Sequence, residues 1–142
     1  MEATGDRSAV TERRWLNLGS VGFAAQTALH ATAALAEPGS GTQILAMVPA
    51  TLGPMFLLGA FIGPIIEPMH ERTVKKLAAS GALLLVGGVA TMVGTLGAEA
   101  HAVCAGLAAF ATAWCAMNPT PRYTGYIRGG LPVYEDGSGP AG

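Results

Sequence analysis

This sequence predicts an all-α integral membrane protein with four transmembrane helices in an antiparallel bundle, the second helix kinked by proline. Three observations carry the expectation. Between Lys76 and Asn118 the only acidic or basic side chain is Glu99, and a Gly97-Ala98-Glu99-Ala100 break divides the stretch in two. Each half, residues 77–96 and 100–117, comes close to the ~20 apolar residues that cross a bilayer core as a helix. Only 12% of the chain is charged, against roughly 25% in soluble domains. Finally, the basic residues fall into three clusters separated by apolar runs.

In chain order, residues 1–14 form a polar N-terminal tail ending in Arg13-Arg14. Residues 15–36 follow as a weakly apolar run containing Asn17, Gln26 and His30. Twin arginines before it and Ala34-Leu35-Ala36 at its end also match a secretory or Tat signal with a small-residue cleavage site. Its length suffices to span, which favours a retained first helix. Glu37-Pro38-Gly39-Ser40-Gly41 is a turn cluster.

The second span, residues 43–66, contains Pro49 and Pro54. Each removes a backbone donor and crowds the preceding turn, hence the expected kink. Gly59 and Gly63 are a small-residue pair that lets another helix approach closely. Pro64 and Pro68 mark the end of this helix. Residues 67–76 are the one long charged connection; Glu67, His70 and Glu71 stand there among Arg72, Lys75 and Lys76, the composition of a solvated loop at headgroup level. In the third span Gly87, Thr91 and Thr95 recur at four-residue spacing and form a second smooth packing face. The fourth ends at Asn118-Pro119, beyond which residues 118–142 form a Pro/Gly-rich C-terminal arm with no run able to span. Such a composition is expected to be disordered or laid along another subunit.

Four spans place residues 1–14, 67–76 and 118–142 on one side of the membrane. All eight basic residues then share that side: Arg7, Arg13, Arg14, Arg72, Lys75, Lys76, Arg122 and Arg128. The opposite loops carry only Glu37 and Glu99. Positive charge marks the inner face, so both termini are expected on the cytoplasmic, matrix or stromal side of a bacterial plasma membrane or organelle inner membrane. Trp15 and Trp114 fall at the same interface, as an aromatic belt would.

Function is less legible. A net charge of −1 provides no basic face for nucleic acid. No nucleophile–His–acid set, phosphate loop, Cys-x-x-Cys or His-Glu-x-x-His is present, which argues against an enzyme acting alone. Cys104 and Cys115 share one helix about 16 Å apart, beyond disulfide reach. His30 and His101 lie at matching depth on different spans. They are the candidate cofactor-binding residues: an axial pair for a b-type haem, half of a metal site, or a hydrogen-bonded contact between helices. His101, Cys104, Ala108, Thr112 and Cys115 form a small, slightly polar stripe suited to a packing seam. A proline-bearing helix is found in transporters, yet no acidic or basic residue lies within a span to couple ions.

The expectation is therefore a small accessory or scaffold subunit of a larger membrane complex, which the paired histidines would make an energy-transducing one. Its partners are other membrane subunits and lipids, or further copies of the chain. The alternatives are a single-haem or metal-binding electron-transfer or quinone-site subunit using His30 and His101, and a small oligomeric transporter or channel. Labelling of sealed vesicles should find the Met1 and Gly142 ends on one face; ends on opposite faces would overturn the topology.

Overall fold

The computed structural model describes residues 20–35, 40–66, 69–94, 96–128, 131–137 and 139. Expectations for the polar tail, Trp15, residues 36–39, Glu67 and Thr95 lie outside the described residues. The fold is mostly helical. Helix α1 covers residues 20–35, α2 Ser40–Ile66, α3 Glu71–Val93 and α4 Ala98–Met117; strands β1 (Tyr123–Arg128) and β2 (Leu131–Tyr134) follow.

Three helices are long and apolar enough to cross a membrane: Gln43–Ile66 within α2, Glu71–Val93 and Ala98–Met117. Their surface is inverted relative to a water-soluble domain. Phe61 is 78% exposed, Ile65 76% and Phe110 67%, whereas Ser80, His30 and Gln26 are at most 3% exposed. Apolar side chains outside and polar ones inside mark a protein solvated by lipid.

The helix ends follow local chemistry. α2 stays helical through Pro49, Pro54 and Pro64, although each proline leaves the carbonyl four residues earlier without its intrahelical donor. It also starts earlier than the turn cluster suggested, with Ser40 and Gly41 already helical. α3 starts at Glu71, six residues before the expected span, because His70 serves as its N-cap and accepts from the Arg72 amide at 3.1 Å. It ends at Gly94, whose φ of 70° is readily adopted by glycine and whose amide bonds back to Ala90 and Thr91. α4 closes at Asn118, whose backbone amide donates to the Trp114 carbonyl at 3.0 Å.

Helices α2 and α3 run antiparallel and very close. A Cβ on Gly53 would stand 2.5 Å from the Leu85 amide nitrogen, one on Gly81 would stand 2.9 Å from the Gly53 carbonyl, and one on Gly88 would stand 2.5 Å from the Ala50 nitrogen. Phe56, Ala60, Leu77 and Leu84 form the apolar core beside this crossing. α1 runs alongside α3: a Gly22 Cβ would meet Ser80, Phe56 and Leu84, and one on Gly87 would meet Gln26 and His30. α4 returns antiparallel to α3, with His101 against His30 at one end and Asn118 against Lys76 at the other.

The C-terminal arm, expected to be disordered or laid along another subunit, contains a strand pair. β1 and β2 pair antiparallel with an irregularity between Tyr123 and Ile127. Tyr134 is buried and meets His70 edge-on at 4.5 Å. The hairpin thus covers the start of α3, which is why His70 is buried instead of solvated.

Gly88→Leu should destabilise the fold by about 1–3 kcal/mol, since the added atoms meet backbone that no rotamer change can clear. Thermal or denaturant unfolding in detergent measures it.

Candidate functional site

The polar interior is built from three helices. Gln26 and His30 are one turn apart on α1 and project from the same face. His101 comes from the first turn of α4. Gly87 of α3 makes the room: a Cβ there would lie 1.8 Å from Gln26 Nε2 and 2.8 Å from His30 Nε2. The neighbouring Gly88 instead faces α2, so α3 presents adjacent glycines to two different helices.

The structure brings the two sequence-predicted histidines together. His30 Nδ1 and His101 Nδ1 are 2.9 Å apart, and Gln26 Nε2 is 2.7 Å from His30 Nε2. The rings are tilted by 37° with centroids 5.2 Å apart. His30 is 1% exposed and His101 7%. Hydrogen-bond direction follows from the donors. The Gln26 NH2 donates to His30 Nε2, so His30 carries its hydrogen on Nδ1 and donates it to His101 Nδ1; His101 is then protonated on Nε2. Three of the four ring nitrogens are engaged in the row, and Gln26 Oε1 is left buried with no partner.

The fit of a metal or haem can be judged from these distances. With metal–imidazole bonds of about 2.0 Å, an axial pair holds its nitrogens roughly 4 Å apart across the iron. A direct nitrogen–nitrogen contact of 2.9 Å leaves no place for a macrocycle between the rings. Nor, among the described residues, does any group of three or more His, Cys, Asp or Glu side chains converge as a metal site. Cys104 is half-buried and is not drawn into such a group. The arrangement as it stands is a hydrogen-bonded imidazole pair.

The stripe on α4 is a seam. His101, Ala108 and Cys115 are buried at seven-residue intervals, with Cys104 and Thr112 half-buried between them. Among the expected packing residues, Gly63 lies against Met69 rather than another span, with a Cβ there 2.6 Å from the sulfur. Gly59 is half-buried. Thr91 is buried and returns its hydroxyl to the Gly87 carbonyl at 2.7 Å, satisfying itself within its own helix. The close backbone approaches between α2 and α3 use Gly53, Gly81 and Gly88 instead.

A second polar cluster occupies the basic end. His70 Nε2 lies 3.4 Å from Asp136 Oδ2, with Arg72 4.0 Å from the same oxygen. Lys76, expected in a solvated loop, is 4% exposed. Its ammonium donates to the Asn118 carbonyl and stands 5.7 Å above the Trp114 ring, so it caps the negative end of the α4 dipole. The His70 and Lys76 contacts tie the first turns of α3 to the end of α4 and the C-terminal segment. An open groove of about 680 Å³ between α2 and α3 is lined by apolar side chains, including Pro54, Leu58, Phe61 and Val74.

Gly87→Ala should displace the Gln26 amide and break its bond to His30 while leaving the contact between the two imidazoles. The expected cost is about 1 kcal/mol, read as a lower thermal midpoint together with a changed His30 ring-nitrogen resonance. No protein-family model, curated protein or solved structure was found to match this chain.

Proposed function

We propose that this protein is an accessory or scaffold subunit of a larger membrane assembly, crossing the bilayer four times with both termini on the inner side and a proline-bent second helix. The observation that supports this reading is the outward side of α4. Ala102, Gly106, Ala109, Ala113 and Ala116 are all exposed and recur at alternating four- and three-residue steps. Beside this shallow furrow runs a ridge of exposed large side chains, Val103, Leu107, Phe110, Trp114 and Met117. A Cβ on Gly106 would meet nothing within 4 Å.

Lipid rewards no such relief, because acyl chains are as apolar as leucine. Close backbone approach along small residues is what associates helices in a bilayer. A furrow beside a ridge, on the least buried of the three membrane-length helices, is suited to a neighbouring helix. The inner ends of the helices carry a hairpin tied to His70, leaving the α4 face as the smoothest uncommitted surface among the described helices. The assembly takes up other membrane subunits or further copies of the chain there.

Purification in mild detergent or nanodiscs should yield the chain with co-purifying subunits or as an oligomer, and without a haem absorption band. Gly106→Leu should strip the associated chains without destabilising the subunit itself, since the site is open and leucine is favoured over glycine inside a helix by up to about 1 kcal/mol. A lone monomer under gentle conditions would overturn the reading, and a haem band lost in His30→Ala would replace it with the electron-carrier alternative.

A further inference from the structure

We propose that Gln26, His30 and His101 form a buried proton-binding site that takes up one proton per chain, loaded from the end of the helices that carries His101. The inference concerns the interior of the chain and is independent of what docks on α4.

Two facts on the row motivate it. Both inner nitrogens of the imidazole pair are committed to each other at 2.9 Å, and the outer nitrogen of His30 is committed to the Gln26 amide at 2.7 Å. Yet Gln26, itself 3% exposed, keeps its Oε1 buried without a partner. In the neutral row that oxygen is wasted. Turning the amide about its Cγ–Cδ bond exchanges Nε2 for Oε1 beside His30 without moving any helix. Oε1 can only accept, so His30 Nε2 must then carry a hydrogen.

This turned state accommodates one additional proton. While the pair is still neutral, His30 Nε2–H donates to Gln26 Oε1, His101 Nδ1–H donates to His30 Nδ1, and His101 Nε2 is left with a bare lone pair. A hydronium ion gives its proton to that nitrogen and departs as water. The hydrogen between the two Nδ1 atoms is then held by either ring, and His30 continues to donate to Gln26. One N–H bond forms on the protein, one O–H bond breaks on hydronium, and every contact of the row survives. A second proton would set N–H against N–H across the 2.9 Å contact and force the rings apart, so loading stops at one.

The surroundings suit a proton better than a larger cation. Apart from His30 itself, the described parts of α1 and α2 hold no acidic or basic side chain, and α3 presents Gly87 and Thr91. On α4, Glu99 is exposed in the first turn and Cys104 is half-buried one turn further in. Among the described residues no carboxylate is therefore buried with the pair to balance a divalent ion, whereas a single charge spread over two imidazoles and an amide oxygen is the least costly one to hold there. His101 stands only three residues into α4, beside the short connection from α3, which places the open nitrogen close to that end of the helices.

The test uses the full chain in nanodiscs with 15N-labelled histidine, titrated from mildly alkaline to mildly acid conditions after treatment with chelator. The expected result is uptake of one proton shared by His30 and His101, with scalar coupling between their Nδ1 atoms persisting through the titration. Gln26→Leu removes the accepting oxygen and should require about tenfold higher proton concentration for loading. Gln26→Glu supplies a carboxylate and should load at about tenfold lower concentration. Two rings that titrate separately with no coupling would overturn the proposal, as would a Gln26→Leu protein that loads like the parent or a chelator-resistant, stoichiometric metal on the pair. If Gln26→Leu fails to fold, the coupling and stoichiometry in the parent chain decide the matter alone.

Discussion

Everything in this fold hangs on how closely backbones can approach along α3. In lipid there is no hydrophobic effect to press helices together, so packing depends on shape and on polar contacts between them. Gly81 and Gly88 admit α2 to within backbone contact, while Gly87, on the adjoining face, admits the side chains of α1. Adjacent residues on a helix point about 100° apart, so one glycine pair serves two neighbours. Side chains at these positions would push α2 outward on one side and expel Gln26 and His30 on the other.

With α3 so occupied, the polar groups of the interior are obliged to find one another. Buried hydroxyls do so within their own helices, as Thr91 and Thr112 return to carbonyls one turn back. Gln26 and His30 instead bond to each other one turn apart on α1, and His30 reaches His101 across to α4. At the opposite end the same logic applies to Lys76. Its buried ammonium settles on the carbonyl that ends α4 and over the Trp114 ring, where the helix dipole and the aromatic face both favour a cation. The two ends of the helices are consequently different in kind: one is locked by charge and a docked hairpin, the other holds a neutral, adaptable hydrogen-bonded row.

That division bears on the proposed role. A subunit that recruits neighbours through one smooth helix needs the rest of its packing fixed, and here the fixed part is the α2–α3 crossing with its hairpin cover. α4 touches its own chain along a thin seam and gives most of its circumference to lipid or partners. The imidazole row meets that seam at His101, on the side of α4 facing its own chain.

The sequence by itself determined what depends on solvent and on local chemistry. Long uncharged runs specify membrane-length helices because lipid tolerates no unsatisfied backbone, and Asn118-Pro119 marks the end of the last one; that α3 stops at Gly94, short of the expected residue 96, came from the structure. The matching depth of His30 and His101 was also readable, since rise per residue is constant along a helix. Only the tertiary structure decided that the two rings touch, because depth says nothing of which faces meet. It likewise selected Gly53, Gly81 and Gly88 over Gly59, Gly63 and Gly87 for the closest contact between α2 and α3; many small-residue pairs fit a spacing rule, and crossing geometry uses few of them. The burial of His70 and Lys76 and the docking of Tyr134 were beyond reach of pattern, since a short hairpin in a Pro/Gly-rich arm has no periodic signature and gains its order from the surface it covers.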